Sequence, residues 1–279
     1  MKKSPFYILL VLASLSIISC TKSNDLEETL GSAFVHIPDN EFEKELIRIG
    51  IDTDGIINQS VRKRDVENVE RLHLNNTSPL TIKNLKGIEG FVGLKRLFAS
   101  GNGLTSIDLS NNVLLDTINL SVNYLRSIEG LSTATNLKWL SLSYNSFTEF
   151  SIDNSSVRNI LMSDNELVSF DASKAQNLKS VLLTLNKITA LDFSKNPLLK
   201  VLVFSANKLR TINLDSNLNL EYIYCSSNLL TTFDVSKLNK LVDLRVDRNP
   251  YLNCIKVASG QNISTLKLSS YQQANVNCN

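Results

Sequence analysis

From Leu94 to Lys256 the pattern L-x-x-L-x-L-x-x-N-x-L-x-x-L returns about every 21 residues. A chain made of such short copies folds as stacked coils. The first apolar residue of each copy is Leu94, Leu115, Leu137, Val157, Leu178, Leu199, Leu220 or Leu241. Eight residues further on, every copy has asparagine: Asn102, Asn123, Asn145, Asn165, Asn186, Asn207, Asn228 and Asn249. A segment of this length cannot bury its own apolar face, so each coil is stable only where its neighbours cover it.

With the first apolar residue as position 1, positions 4 and 6 are also apolar, as in Leu178, Val181 and Leu183. The spacing of two predicts a short strand, and stacking predicts a parallel sheet. The chain then bends at the asparagine, whose amide bonds backbone groups that a tight bend leaves unpaired. Positions 11, 14 and 16, for example Ile188, Leu191 and Phe193, bring a second apolar set inward on the other side.

These residues resemble the leucine-rich repeat family, specifically the short bacterial repeats of internalin-like and cell-surface lipoprotein type. The resemblance covers residues 69–257 and implies an α/β leucine-rich repeat solenoid. Its parallel β-sheet lies on the concave face, with a short helical N-terminal cap and a mostly irregular or short-turn convex side. Departures are local: Ala99 and Ala172 are small at core slots, Gly130 takes an apolar slot, and an irregular first coil has Thr77 in the asparagine slot.

Upstream, Lys2 and Lys3 precede an apolar run, Phe6 to Ile18, which is shorter than the ~20 residues a membrane-spanning helix needs. The run closes on Ile17, Ile18, Ser19 and Cys20 and resembles a bacterial lipoprotein signal, which implies acylation of Cys20. An ordinary cleaved signal peptide with an incidental cysteine is the alternative. Thr21 rather than an acid follows the cysteine, and among Gram-negative lipoproteins this implies passage to the outer membrane. The expected order is therefore signal peptide 1–19, flexible tether 20–33, helical cap 34–68, repeats 69–257 and C-terminal cap 258–279.

Removing residues 1–19 takes away two of the 29 Lys and Arg and none of the 27 Asp and Glu, so a mature chain is neutral. That balance argues against nucleic acid as partner. Cys225 holds a core slot at position 6 and reads as a buried thiol. Cys254 and Cys278 flank the expected C-terminal cap, and their placement predicts a disulfide closing that end.

Phe42, Leu46 and Ile49 have helical spacing that stops at Gly50, and Asn40 with Glu43 has the spacing of a capping box. A second short helix is expected near Ser60. Between them Asp52, Asp54, Gly55 and Asn58 echo a calcium loop, but Gly50 and Val61 fall where ligands are needed, so an Asx-rich turn is the expected reading and no metal is assigned. His36 and His73 are the only histidines, and no catalytic or phosphate-binding pattern is present, so neither an enzyme nor a cofactor is expected.

The outward face of the sheet carries the functional signal. Position 5 should be polar if it met only water, yet it holds Phe98, Leu161, Leu182, Val203 and Tyr224. Position 3 adds Trp139 and Tyr222, and position 8 adds Tyr144. Stacking aligns them into an apolar and aromatic ribbon, of the kind that marks an interaction site; sideways packing within the sheet is the competing explanation. Lys95, Lys138, Arg158, Lys179 and Lys200 form a basic border at position 2. The expectation is a lipid-anchored surface protein that recognises another protein through this face. The family resemblance implies adhesion to a host, matrix or other surface protein. The alternative is a glycan-binding module, with Trp139, Tyr144, Tyr222 and Tyr224 stacking on sugar rings.

Overall fold

The computed structural model describes residues 33–75 and 82–278. The expected signal segment, Cys20, the expected tether up to residue 32 and Thr77 lie outside the described residues. Of the helices described, none is long and apolar enough to cross a membrane.

Each copy contributes one three-residue strand to a ten-stranded parallel sheet that starts at Arg71–His73. Successive strands are Arg96–Phe98, Thr117–Asn119, Trp139–Ser141, Asn159–Leu161 and Ser180–Leu182. The series continues with Val201–Val203, Tyr222–Tyr224, Asp243–Arg245 and Thr265–Lys267. Register is fixed by the repeat: Ile160 faces Val181, which faces Leu202, which faces Ile223. At ~4.8 Å per strand the sheet runs roughly 43 Å. Its last strand lies beyond residue 257, and Gln272 there does the work of the missing asparagine, donating to Val246 O at 3.2 Å.

Positions 1, 4 and 6 point inward as expected; Leu178, Val181 and Leu183 are fully buried. The second apolar set closes the core from the convex side. There Phe150, Phe170 and Phe193 form a column with ring centroids 6.0 and 6.2 Å apart. The convex side carries short parallel strands of its own, Glu149–Ser151 with Ser169–Asp171, and Phe233–Asp234 with Cys254–Lys256 and Gln273–Asn275. Gly130 has a structural reason. Its φ is +81°, and a Cβ there would lie 2.2 Å from Ser110 N.

The asparagines do more than serve their own bend. In each of the eight copies the side-chain N–H groups donate to the position-6 carbonyl of their own coil and of the preceding one. Asn186, for example, donates to Leu183 O at 3.1 Å and Met162 O at 3.0 Å, and its carbonyl accepts from Leu167 N at 3.0 Å. All eight are nearly inaccessible. Every one is a cross-link between coils as well as a cap on a turn.

The N-terminal helix spans Asn40–Arg48, and its cap lies one residue earlier than the capping box predicts. Asp39 accepts from Glu41 N and Phe42 N at 3.0 and 3.1 Å, and its second oxygen accepts from Lys83 N and Asn84 N, tying the helix to the first coil. Glu43 does not turn back to a cap. It is buried and accepts from the backbone of Asn58, Gln59 and Ser60 at 2.9–3.0 Å. Ser60 opens a strand, Ser60–Arg62, antiparallel to Phe34–His36, and the second helix is the single turn Lys63–Val66.

Candidate functional site: the concave face

Position 5 of the central coils forms one contiguous apolar row. Leu182 pairs with Leu161 on one side and Val203 on the other, and Val203 pairs with Tyr224. These side chains are half-buried, because neighbours at ~4.8 Å shield each other's flanks. Sideways packing is therefore real, and it leaves an outward edge free. Phe98 stands apart from this row. Asn119 and Ser141 separate it from Leu161, and its ring stacks on His73 at 4.6 Å.

The borders are more open. Trp139 is 41 % exposed, Tyr222 37 % and Tyr144 57 %. Trp139 and Tyr222 both occupy position 3, with Asn159, Ser180 and Val201 between them. Tyr144 belongs to an unusual column: at position 8 all eight copies have left-handed φ, from 54° at Ala206 to 75° at Gly101. Such a backbone costs a non-glycine residue about 1 kcal/mol, more for Val122 with its branched Cβ. The backbone bonds that position makes offset this: Tyr144 N donates to Ser163 O at 2.9 Å and Asn145 N to Asp164 O at 3.2 Å. The same geometry turns Val122, Tyr144 and Leu185 outward along one edge of the face, where each is about half exposed.

The last coils change the chemistry. Tyr224 OH donates to Asp243 at 3.0 Å, and the Arg245 guanidinium lies 4.3 Å above the Tyr224 ring. Burial, and then the bond to Asp243, hold the Tyr224 hydroxyl above its usual range. Asp243 also pairs with Arg245 at 3.1 Å, while Asp247 meets Ser226, Arg248 and Lys267. Tyr224 is thus a clamped ring with one face occupied, unlike the freer Trp139 and Tyr144. The sequence pattern missed Asp243, Arg245 and Asp247. The visible signal was charge at positions 3, 5 and 7, slots that hold uncharged residues through the five preceding copies. It also missed a hydroxyl column at position 7, Ser100, Ser121, Ser143, Ser163, Thr184 and Ser205, which was legible in the repeat.

The basic border at position 2 is not uniform. Lys95 pairs with Glu70 at 2.5 Å and Lys200 with Glu221 at 2.8 Å. Lys138, Arg158 and Lys179 are exposed, and among the described residues none lies within ion-pairing distance of a carboxylate.

Away from the face, Cys254 and Cys278 are bonded with their Cα atoms 5.6 Å apart. Cys225 is buried, and desolvation holds its thiol far above the usual range. Asp52 and Asp54 form consecutive Asx turns onto Asp54 N and Ile56 N. On the convex side Asp108, Asp171 and Asp192 recur at position 15 and are also turn-forming: each accepts from the serine N–H two residues on, at 2.8 Å.

The fold is that of leucine-rich repeat proteins. It is similar to the functional domain of InlJ from Listeria monocytogenes, with a TM-score of 0.56 and 23% identity over 87% of this chain and 62% of that one. The leucine-rich repeat domain of APL1B gives 0.56 and 22% over 70% and 59%, and the Leptospira interrogans leucine-rich repeat protein LIC12759 gives 0.51 and 18% over 76% and 62%. This chain thus spans about three-fifths of each of these chains, and at such identities the likeness shows the fold alone. InlJ is described as including a cysteine ladder; here one of the eight position-6 core slots holds a cysteine, Cys225. No protein-family model matches the sequence, and no curated protein does so significantly.

Proposed function

We propose that this chain is a lipid-anchored surface protein, acylated at Cys20 and exported to the outer membrane of a Gram-negative cell, that binds another protein with its concave face. The binding claim rests on one observation: a contiguous outward row, Leu161, Leu182, Val203 and Tyr224, flanked by exposed Trp139, Tyr144 and Tyr222. An apolar row rimmed by amphipathic rings gains most when a partner's side chains displace water from it. Adhesion to a host, matrix or other surface protein is the biological form this takes. Glycan capture is the second reading, favoured by the exposed rings. Trp139 and Tyr222 stand four strands apart, roughly 19 Å at the spacing of a parallel sheet, which suits separate anchors better than one sugar-stacking platform.

A pull-down with the purified full chain, run beside a glycan array, separates the readings. Saturable capture of a protein, lost on Trp139→Ala with Leu182→Ala, supports protein recognition; array binding lost on Trp139→Ala, without protein capture, replaces it with the glycan reading. For the anchor, Cys20→Ala abolishes lipid labelling and membrane retention, and unchanged fractionation and labelling remove the lipoprotein claim.

A further inference from the structure

Position 2 charges read, from the first coil onward, Glu70, Lys95, Asp116, then Lys138, Arg158, Lys179 and Lys200, closed by Glu221. At both ends the molecule neutralises itself: Lys95 with Glu70, Arg96 with Asp116 at 3.5 Å, and Lys200 with Glu221. The middle is left open. Three cations on adjacent strands, ~4.8 Å apart at the backbone, repel one another, and like charges facing across strands are destabilising. Positions 3, 5 and 7 of these three coils carry no acid, and the one acid at position 8, Asp164 on the opposite border, lies within ion-pairing distance of none of the three cations. Along the opposite border Glu166 is already taken by Lys187 at 3.1 Å.

This open block lies beside Trp139 and beside the start of the apolar row at Leu161 and Leu182. Resting on the concave-face reading above, we infer that the occupant is an acidic protein segment seated across these three coils. Its carboxylates meet Lys138, Arg158 and Lys179, and its apolar side chains cover Trp139, Leu161 and Leu182. An extended segment repeats its side chains on one side every ~6.8 Å, so the roughly 10 Å spanned by the three cations takes two carboxylates. The one-sided charge sets which way the segment lies across the face, and it raises the encounter rate in a manner that salt suppresses.

The test selects binders for the full chain from a random short-peptide library and measures the best ones by fluorescence anisotropy at low and high salt. The expected result is enrichment of peptides that combine Asp or Glu with aromatic or aliphatic residues, bound about tenfold or more weakly by the triple variant Lys138→Glu, Arg158→Glu, Lys179→Glu. The convex-side control Lys174→Glu with Lys195→Glu leaves binding unchanged. Enriched peptides that are neutral or basic, an absence of enrichment, or equal affinity for wild type and triple variant overturns the inference. So does retention on heparin that the triple variant loses while no acidic peptide is enriched, since the occupant is then an anionic glycan. If Trp139→Ala with Leu182→Ala abolishes peptide binding and the triple variant does not, the concave-face reading survives and only the acidic occupant fails; if neither variant weakens binding, the concave-face reading falls with it.

Discussion

Each coil turns twice, once after its concave strand and once on the convex side, and the two turns are built differently. After the concave strand all eight copies place an asparagine whose amide makes two donated bonds and one accepted bond, as with Asn186 to Met162 O, Leu183 O and Leu167 N. On the convex side the corresponding slot has asparagine in only some copies. Asn112, Asn154, Asn196 and Asn217 each donate to two backbone carbonyls, and Gln261 does so at the C-terminal end. The side-chain oxygens of Asn112, Asn196 and Asn217 are buried without a partner. One spine is continuous and saturated, the other interrupted and under-bonded. The saturated one lies beside the concave face, so the coils are cross-linked most completely beneath the surface proposed to bind.

The largest effect expected from this contrast is at Asn186. Asn186→Ala strands the buried Leu167 N–H and removes one of the two amide bonds at each of two carbonyls, Met162 O and Leu183 O, which keep Asn165 and Asn207; chemical denaturation should show a loss of about 3 to 4 kcal/mol, and a loss below 1 kcal/mol would mean that water replaces the amide and the spine is not what holds the coils. Next comes the disulfide, which ties the convex-side strand Cys254–Lys256 to Cys278 across a separation of 24 residues. Its removal costs about 3 kcal/mol by loop-closure entropy. Melting with and without reductant measures this, and binding by the concave face should survive the reduction.

A third effect lies in the N-terminal cap, outside both spines. Asp52 is nearly fully buried with one oxygen unpartnered, and desolvation raises its carboxyl from 3.8 to about 6. A raised folded-state value means that the neutral form stabilises the fold. That contribution is whole below about pH 3.8 and is lost as pH rises through about 6. Asp52→Asn should therefore raise stability at pH 7 by about 2 kcal/mol and leave it unchanged near pH 3; a pH-stability profile identical to wild type would contradict this. The smallest effect is expected at Asn196. Asn196→Ala loses two bonds but also removes an unpaired buried acceptor, for a net cost of about 1 kcal/mol. A cost equal to that of Asn186→Ala would erase the distinction between the two spines.

The concave half of each coil was legible in sequence because its chemistry repeats through the eight copies with few departures, Ala99 and Cys225 at position 6 among them. Leucine-type residues at positions 1, 4 and 6 and asparagine at position 9 specify strand, core and bend together. The convex half was less so. Coil lengths of 20 to 22 residues shift the second turn, and Asn112, Asn154, Asn196 and Asn217 do not recur in every copy. Asp39 and Asn40 are both good helix caps, and the choice between them fell to Lys83 and Asn84, residues brought near only by the fold. On the face itself the apolar slots were readable, Phe98 and Leu161 through Tyr224 alike. The break between Phe98 and Leu161 was readable too, since Asn119 and Ser141 hold position 5 of the copies between them. Two properties were not readable locally, because each depends on side-chain contacts between coils: the clamp of Arg245 on Tyr224, and the unpaired state of Lys138, Arg158 and Lys179.

The concave-face account stands or falls on two adjacent residues, Leu182 at an outward half-buried slot and Leu183 fully buried beneath it. Stability and affinity for the partner recovered by pull-down should be measured side by side on the single alanine variants. Leu183→Ala should lose roughly 2 to 5 kcal/mol of stability through a cavity. Leu182→Ala should remain folded and bind the partner about 1 to 2 kcal/mol more weakly. Equal destabilisation by both variants, or wild-type affinity in Leu182→Ala, would contradict the assignment of this face as the binding surface.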